Sequence, residues 1–351
     1  MAALICCSPA IGFLFGMSGA SHYALCMGSG RPKKARQYFS SSVWMTLITG
    51  SIAAIALNLV AEPFAMFLGA DEASLPYAMP YLRVLLCYIP GFMMDVLMMS
   101  FMKNEGHPTI AMIATVTGSL LNVILDFVFV FGLDMGMFGA AFATALCSGI
   151  GLCINIVCAA ALHTNLKLEM PSWHSKTARN ILSNGFSILV LEASSGIVTF
   201  VFVHQAARLY GENGAGIYTI LMNWSLIFTN LTMGIAQAMQ PLVSFACGRG
   251  NHKLMHFYLR LSLICALILG ALDMILSIAL AGPMASVFTS DSEVILPVVL
   301  ALLLPLVLGG TGLWTAMPVS EAVTAVVSLV LLRSPLTAAA DSKPEVYETA
   351  E

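Results

Sequence analysis

The chain has 351 residues, of which 59% are hydrophobic and only 9% are charged, and its formal net charge is −3. Soluble globular proteins carry about 25% charged residues, so this composition predicts a protein whose surface is largely covered by lipid. Nucleic-acid binding is excluded, because no block of Lys and Arg is paired with aromatic residues. The nine cysteines are scattered without a CxxC pair or zinc spacing, so neither a disulfide framework nor a metal site is predicted.

Apolar runs long enough to cross a membrane follow one another along the chain. About 20 apolar residues in a helix span the hydrocarbon core. The predicted spans are 2–27, 38–60, 78–101, 109–131, 137–161, 184–207, 215–240, 256–280 and 311–332, with a shorter apolar run at 294–308. The sequence therefore predicts an all-α integral membrane protein with about 9–10 membrane segments, in contact with the lipid bilayer.

Basic side chains concentrate in the loops that follow alternate spans. Eleven Lys and Arg residues lie in these loops, against two in the opposite ones: Arg31, Lys33, Lys34, Arg36, Lys103, Lys167, Lys176, Arg179, Arg249, Lys253 and Arg260, against Arg83 and Arg208. An excess of Lys and Arg marks the cytoplasmic loops of membrane proteins. The basic loops are therefore predicted to be cytoplasmic.

The sequence repeats itself at an offset of 220 residues. Thirteen of the 44 positions of 28–71 are identical in 248–291, among them Gly28/Gly248 and Gly30/Gly250. Both copies have the same predicted orientation, so the repeat is parallel. This pattern indicates two homologous helix bundles in tandem, of a six-plus-six design.

The two halves are unequal in length, which predicts missing segments. Span 184–207 has no counterpart in the first half, and the second half is 44 residues shorter between Asp291 and Gly312. We therefore expect a twelve-helix design that lacks its first helix, its tenth and part of its eleventh. The predicted domains are an amino-terminal bundle at 1–162, a cytoplasmic linker at 163–183, a carboxy-terminal bundle at 184–333 and a disordered polar tail at 334–351.

Few ionisable or strongly polar side chains lie at mid-membrane depth, where ionisable groups are costly and commonly functional. Asn122 and Asp126 are spaced i, i+4 and share one helical face. A carboxylate beside an amide suits a proton or a small hard cation such as Na⁺. The alternative is that Asn122 only hydrogen-bonds Asp126 within a packed interface.

Other acidic residues are weaker candidates for a site. Glu192 lies about one third into span 184–207, where it is predicted to bind a proton unless it is near enough to the cytoplasmic end to be hydrated. Asp95 and Asp273 are predicted to line a cavity or to face a polar partner helix, and Glu321 is predicted to line an aqueous cleft. No GxSxG, HExxH or Walker sequence occurs, so neither an enzyme nor an ATP-driven pump is indicated, no cofactor is expected, and a secondary transporter or a channel remains.

The chain resembles the multidrug and toxic compound extrusion (MATE) family from "FGMSGASHYALCMGSG" to "GLWTAMPVSE". The most specific stretches are 104–145 and 234–251. The resemblance implies a V-shaped pair of six-helix bundles around a central cavity. It also implies a monomeric, multi-pass antiporter of the plasma membrane that exports amphipathic, often cationic, compounds or drugs in exchange for Na⁺ or H⁺.

The resemblance also assigns residues to a site. The family's amino-terminal cation site uses an Asn and an Asp one turn apart in its fifth helix, matched here by Asn122 and Asp126. A Thr of the sixth helix is matched by Thr144. A Glu of the seventh helix, used in one branch of the family, is matched by Glu192. The acidic partners in the first and tenth helices fall in the absent segments, so transport by this chain is predicted to be impaired.

Two alternatives stay open beside the antiporter. A flippase for lipid-linked glycans has a similar helix plan, but it would need a cluster of basic side chains in its cavity, and Arg83 is the only basic residue near mid-membrane. The other alternative is an inactive relic of a transporter. Coupling to Na⁺ and coupling to H⁺ are equally compatible with the sequence.

Overall fold

The computed structural model describes residues 2–67, 75–169 and 175–288, and these residues are helical apart from short turns and one stretch after α7. In chain order the helices are α1 (Ala2–Gly28), α2 (Pro32–Leu59), α3 (Ala61–Phe67), α4 (Leu75–Cys87), α5 (Ile89–Asn104), α6 (Pro108–Asp126), a π-helix (Phe127–Gly132), α7 (Gly136–Ala161), α8 (Ser175–Gly248) and α9 (His252–Phe288). The predicted spans 294–308 and 311–332 and the polar tail 334–351 lie outside the described residues.

Several of these helices are long and apolar enough to cross a membrane. Within the described residues, four stretches meet this condition: Pro32–Leu59, Pro108–Gly132, Gly136–Ala161 and His252–Leu276. A fifth forms if Ala78–Cys87 and Ile89–Asn104, bent by 50°, count as one span. Large apolar side chains are exposed along them, with Val123 70% and Phe131 75% accessible. Such a surface suits lipid, so the prediction of an all-α membrane protein is confirmed.

The bend between α4 and α5 has a local cause in the sequence. Pro90 is the second residue of α5. Proline has no backbone N–H, and its ring clashes with the carbonyl of the residue four positions earlier. The helix therefore breaks at Tyr88 and restarts, and Pro32 and Pro108 occupy the first position of α2 and α6 in the same way.

Glycines of α1 allow it to pack closely on α5. A Cβ atom at Gly12 would stand 3.1 Å from the Met93 Cα, and one at Gly16 would stand 3.0 Å from the Leu97 Cα. Small residues four positions apart allow membrane helices to approach at their backbones. Met93 and Leu97 are fully buried as a result, so α1 and α5 form the centre of the amino-terminal bundle.

Helix α8 is continuous where the sequence predicts two spans, 184–207 and 215–240, separated by a loop. The segment 208–214 contains no proline, so nothing in it ends a helix sterically. Both ends of α8 nevertheless contact α1: the Ser18 hydroxyl donates to the Ile181 carbonyl at 2.8 Å, and Gln240 Nε2 donates to the Met17 carbonyl at 3.3 Å. A straight helix would separate residues 181 and 240 by about 90 Å, so α8, although helical throughout, is sharply bent between these two contacts.

Contacts divide the chain into two compact units. The first comprises Met1–Ile197 and Ala238–His256, and it contains α1 to α7 with both ends of α8. The second comprises Val198–Gln237 and Phe257–Glu351. Its described part consists of the middle of α8 and most of α9. The residues discussed below belong to the first unit, apart from Gly270, Asp273 and Glu321 in the second.

The sequence repeat has a structural counterpart in two turns. After α1, the amide N–H groups of Ser29, Gly30 and Arg31 donate to the carbonyls of Leu25, Met27 and Cys26. After α8, the same three bonds join residues 249, 250 and 251 to residues 245, 247 and 246. Gly30 and Gly250 both have positive φ, +73° and +69°, which glycine adopts at no steric cost. Residues related by the offset of 220 therefore form equivalent turns in the structure.

Candidate functional site

The Asn122–Asp126 pair lies where α6 packs on α7. Asn122 Nδ2 donates to Thr144 Oγ1 at 3.5 Å, and the Thr144 hydroxyl donates in turn to the Ala140 carbonyl at 3.0 Å. The helices approach closely beside this contact, because a Cβ at Gly118 would stand 3.2 Å from the Cys147 carbonyl oxygen. The structure thus brings Asn122 and Thr144 together across two helices, and Asn122 bonds Thr144 rather than Asp126.

Asp126 supplies a carboxylate oxygen that has no partner. Its Oδ1 is buried and accepts no hydrogen bond from any residue that the structure describes. With its Nδ2 donating to Thr144, Asn122 keeps its Oδ1 free as an acceptor. Asp126 Oδ1 is thus an acceptor that no hydrogen bond from the described residues satisfies, and such an oxygen suits a proton or a small hard cation.

A change of helix type occurs directly after Asp126. Residues Phe127–Gly132 form a π-helix, in which Leu133 N donates to Val128 O at 2.9 Å across five residues. Short π segments inside α-helices are rare and occur often at functional sites. The local sequence FVFVFG gives no sign of it.

The remaining predicted residues are placed as follows. Asp95 is half-buried on α5 and accepts a hydrogen bond from the Ser148 hydroxyl at 3.1 Å. Asp273 is half-buried on α9. Glu192 lies on α8 among residues whose side chains the structure does not describe, and Glu321 lies outside the described residues. Their predicted roles remain predictions, and the described chain contains no group of three or more His, Cys, Asp or Glu suited to a metal ion.

A polar network that the sequence analysis missed joins the loops at one end of the bundle. The Tyr23 hydroxyl donates to Glu105 Oε2, and the backbone N–H of Asn165 donates to Glu105 Oε1 at 2.8 Å. Arg36 donates to Asn165 Oδ1 at 3.4 Å and to Glu169 at 3.5 Å. These bonds gather the predicted cytoplasmic loops after α1, α5 and α7 at a single end.

Loss of the Glu105 carboxylate is expected to weaken this end of the bundle. Glu105→Ala leaves the Tyr23 hydroxyl and the Asn165 amide without their acceptor, and an unsatisfied buried donor costs about 1–3 kcal/mol. We expect a lower midpoint of thermal unfolding in lipid nanodiscs. Glu62→Ala, at an exposed position of α3, is the matched control. Equal midpoints for the two variants would contradict a stabilising role for this network.

Tandem membrane-helix bundles with a parallel repeat and a polar site within the membrane characterise secondary transporters. The chain belongs to the MatE family, whose model matches residues 3–128 and 189–328, together more than half of its length. This confirms the resemblance seen in the sequence, to a family of multi-pass membrane transporters rather than of enzymes.

Similar proteins support this assignment. The multidrug export protein MepA of Staphylococcus saprophyticus is 23% identical over 289 residues, which cover 81% of this chain and 63% of MepA. MepA of Staphylococcus aureus strain MSSA476 is 24% identical over 294 residues, again 81% and 63%. The chain thus spans less than two thirds of the length of these curated relatives.

Solved structures of low sequence identity share the fold. A MOP superfamily transporter from Pyrococcus furiosus matches with a TM-score of 0.87 and 20% identity, covering 97% of this chain and 87% of that one. A MATE crystal structure in the bent conformation matches with a TM-score of 0.84 and 21% identity, covering 96% and 86%. The helix arrangement is therefore the MATE fold.

Proposed function

We propose that this chain binds amphipathic organic compounds, often cations, and exports them across the membrane in exchange for Na⁺ or H⁺. The observation that carries the proposal is the unpartnered Asp126 Oδ1 beside the Asn122–Thr144 contact, in a chain of the MatE family. The multidrug export named for the MepA relatives favours drug-like substrates.

The physical basis is the cost of an uncompensated charge. A carboxylate inside a membrane bundle is expensive unless it is paired or neutralised. Binding of a proton or Na⁺ neutralises Asp126, whereas its release restores a negative charge that attracts a cationic substrate. A site that alternates between these two cations couples their movements, because binding of either must weaken the other by the same factor.

Competition between dye and cation tests this proposal directly. The protein in lipid nanodiscs is expected to bind ethidium, and the bound dye is expected to be released when Na⁺ replaces K⁺ at constant ionic strength or when the medium is acidified. Binding is measured by fluorescence anisotropy. Dye binding that is the same under all three conditions would contradict cation-coupled export.

Transport itself is expected to be weak. We propose that the second half, which is 44 residues shorter than the first between Asp291 and Gly312, leaves a site that binds better than it transports. Ethidium efflux from cells that express this chain is therefore expected to be slower than efflux through MepA at equal membrane abundance. Efflux rates equal to those of MepA would contradict the proposed impairment.

A further inference from the structure

A second carboxylate of the amino-terminal bundle takes no part in the Asn122–Thr144 contact. Asp95 lies nine residues before the end of α5 at Asn104, about 13 Å along the helix axis. This depth places it inside the apolar span. The Ser148 hydroxyl of α7 donates to its Oδ2 at 3.1 Å, so Asp95 faces α7.

Gly151 of α7 makes room for this carboxylate. The point at which a Cβ would stand on Gly151 is 3.4 Å from Asp95 Oδ1 and 3.5 Å from the Ala114 carbonyl oxygen of α6. Three helices therefore meet at Gly151, and two of them present oxygen atoms there. A larger residue at position 151 would occupy the space beside the Asp95 carboxylate.

Asn155, one helical turn beyond Gly151 on α7, carries an unpartnered acceptor. Its side chain is only 1% exposed, and its Nδ2 donates to the Gly151 carbonyl at 3.1 Å. Its Oδ1 is buried and has no hydrogen-bond partner among the described residues. Buried polar atoms without a protein partner usually mark bound water, an ion or a functional site. The oxygens beside Gly151 are thus those of the Asp95 carboxylate and the Ala114 backbone carbonyl, and Asn155 carries an unpartnered amide oxygen one helical turn further along α7.

Among the described residues, no basic side chain forms an ion pair with Asp95. In the described parts of α1, α2, α4, α6 and α7, no Lys, Arg or His forms an ion pair with it. Its polar partner is Ser148, and Tyr88, at the bend between α4 and α5, interacts electrostatically with Asp95 and with Cys153. An unpaired carboxylate at this depth is costly unless a cation accompanies it.

We infer that Asp95, Ser148 and Asn155 form a second site for a monovalent cation, H⁺ or Na⁺, separate from Asp126. Both sites use α7: Thr144 contacts Asn122, and Ser148, one turn further along, contacts Asp95. The bundle then holds two cations along the same face of this helix. Use of this second site in transport rests on the proposed antiport function, whereas the binding of the cation does not.

Counting bound cations tests the inference. Purified protein in nanodiscs is titrated with radioactive Na⁺ in alkaline buffer, and the carboxylic-acid bands that appear on acidification are followed by infrared spectroscopy. If the sites bind Na⁺, Asp95→Asn and Asp126→Asn each lose half of the wild-type Na⁺ capacity, and the double variant loses all of it. If they bind protons, each single variant loses one carboxylic-acid band.

Matched variants make the result decisive. Asp134→Asn replaces an exposed carboxylate at φ 51°, a conformation that Asn tolerates, and it is expected to match the wild type. Ser148→Ala is expected to weaken cation affinity about 2- to 10-fold, because one hydrogen bond to the site is lost. This variant provides the test if Asp95→Asn does not fold.

The inference is wrong if Asp95→Asn keeps the full Na⁺ capacity and every carboxylic-acid band seen in Asp134→Asn. Unchanged affinity in Ser148→Ala would overturn it as well. Failure of the proposed export would give a different result. Dye binding would then be insensitive to cations, while Asp95→Asn would still bind fewer cations than the wild type. Conversely, cation-sensitive dye binding without an Asp95→Asn deficit would leave export standing and remove the second site.

Discussion

Asp126→Asn is expected to abolish the effect of cations at this carboxylate. The substitution keeps the shape of the side chain but removes the charge that a proton or Na⁺ would neutralise. Interactions with a charged partner in a site shielded from water are worth several times those with a neutral one. We expect the cation affinity at this position to fall at least 10-fold, which corresponds to about 1.4 kcal/mol.

The measurement is ethidium binding in nanodiscs as a function of Na⁺ and of acidity. In the wild type, rising cation concentration is expected to displace dye with the concentration dependence of two sites. In Asp126→Asn, the displacement of dye by cations is expected to follow the concentration dependence of a single site, the one at Asp95. The affinity for dye in the absence of cations is also expected to fall. Asp134→Asn, which changes an exposed carboxylate outside the site, controls for the loss of one charge.

Two further variants separate a cation site from a packed polar interface. Asn122→Ala removes the amide oxygen that would bind the cation. Thr144→Val removes the hydroxyl that accepts the hydrogen bond from Asn122 Nδ2. A cation site predicts that both variants weaken Na⁺ or H⁺ binding with little change in thermal stability. A purely structural contact predicts lower stability with unchanged cation binding, and this outcome would refute the assignment.

Much of the helical framework could be predicted from the amino-acid sequence. The predicted spans 109–131 and 137–161 agree closely with Pro108–Gly132 and Gly136–Ala161, because membrane helices are defined by the length of an apolar run. The shared face of Asn122 and Asp126 follows from spacing within one helix. These features depend on local sequence alone.

Features that depend on contacts between distant residues could not be predicted in this way. Asp95 and Ser148 are separated by 53 residues, and no periodicity within α5 or α7 identifies the partner of either. The partnership of Asn122 with Thr144 came from the family resemblance and not from spacing. One signal was available but unused: Thr144, Ser148, Gly151 and Asn155 recur on one face of an apolar helix.

Two glycines related by the offset of 220 residues make a reciprocal contact in the structure. A Cβ atom at Gly28 would overlap the carbonyl oxygen of Phe245, and one at Gly248 would overlap that of Leu25. Leu25 and Phe245 are themselves related by the offset, so each helix end presents the same glycine to the same position of the other. Direct backbone contact of this kind requires glycine on both helices.

Gly28→Ala and Gly248→Ala are therefore expected to force α1 and the end of α8 apart. Overpacking of a well-packed contact costs about 1–3 kcal/mol, and the symmetry of the contact predicts similar costs for the two variants. Gly28→Leu and Gly248→Leu are expected to lower the stability more than the Ala variants do. Thermal unfolding in nanodiscs gives the stability, and spin labels at the exposed residues Ser29 and Arg249 give the separation of the two helix ends.

Gly270→Ala provides a control of opposite sign. A Cβ at Gly270 of α9 would meet no atom within 4 Å, so Ala there adds no clash and improves helix propensity by about 0.5–1 kcal/mol. We expect unchanged or higher stability and an unchanged distance between the labels. If Gly28→Ala and Gly248→Ala behave like Gly270→Ala, the helix ends do not touch at these glycines. If only one of them destabilises, the contact is real on one side but not reciprocal, and the repeat does not extend to the packing of the two halves.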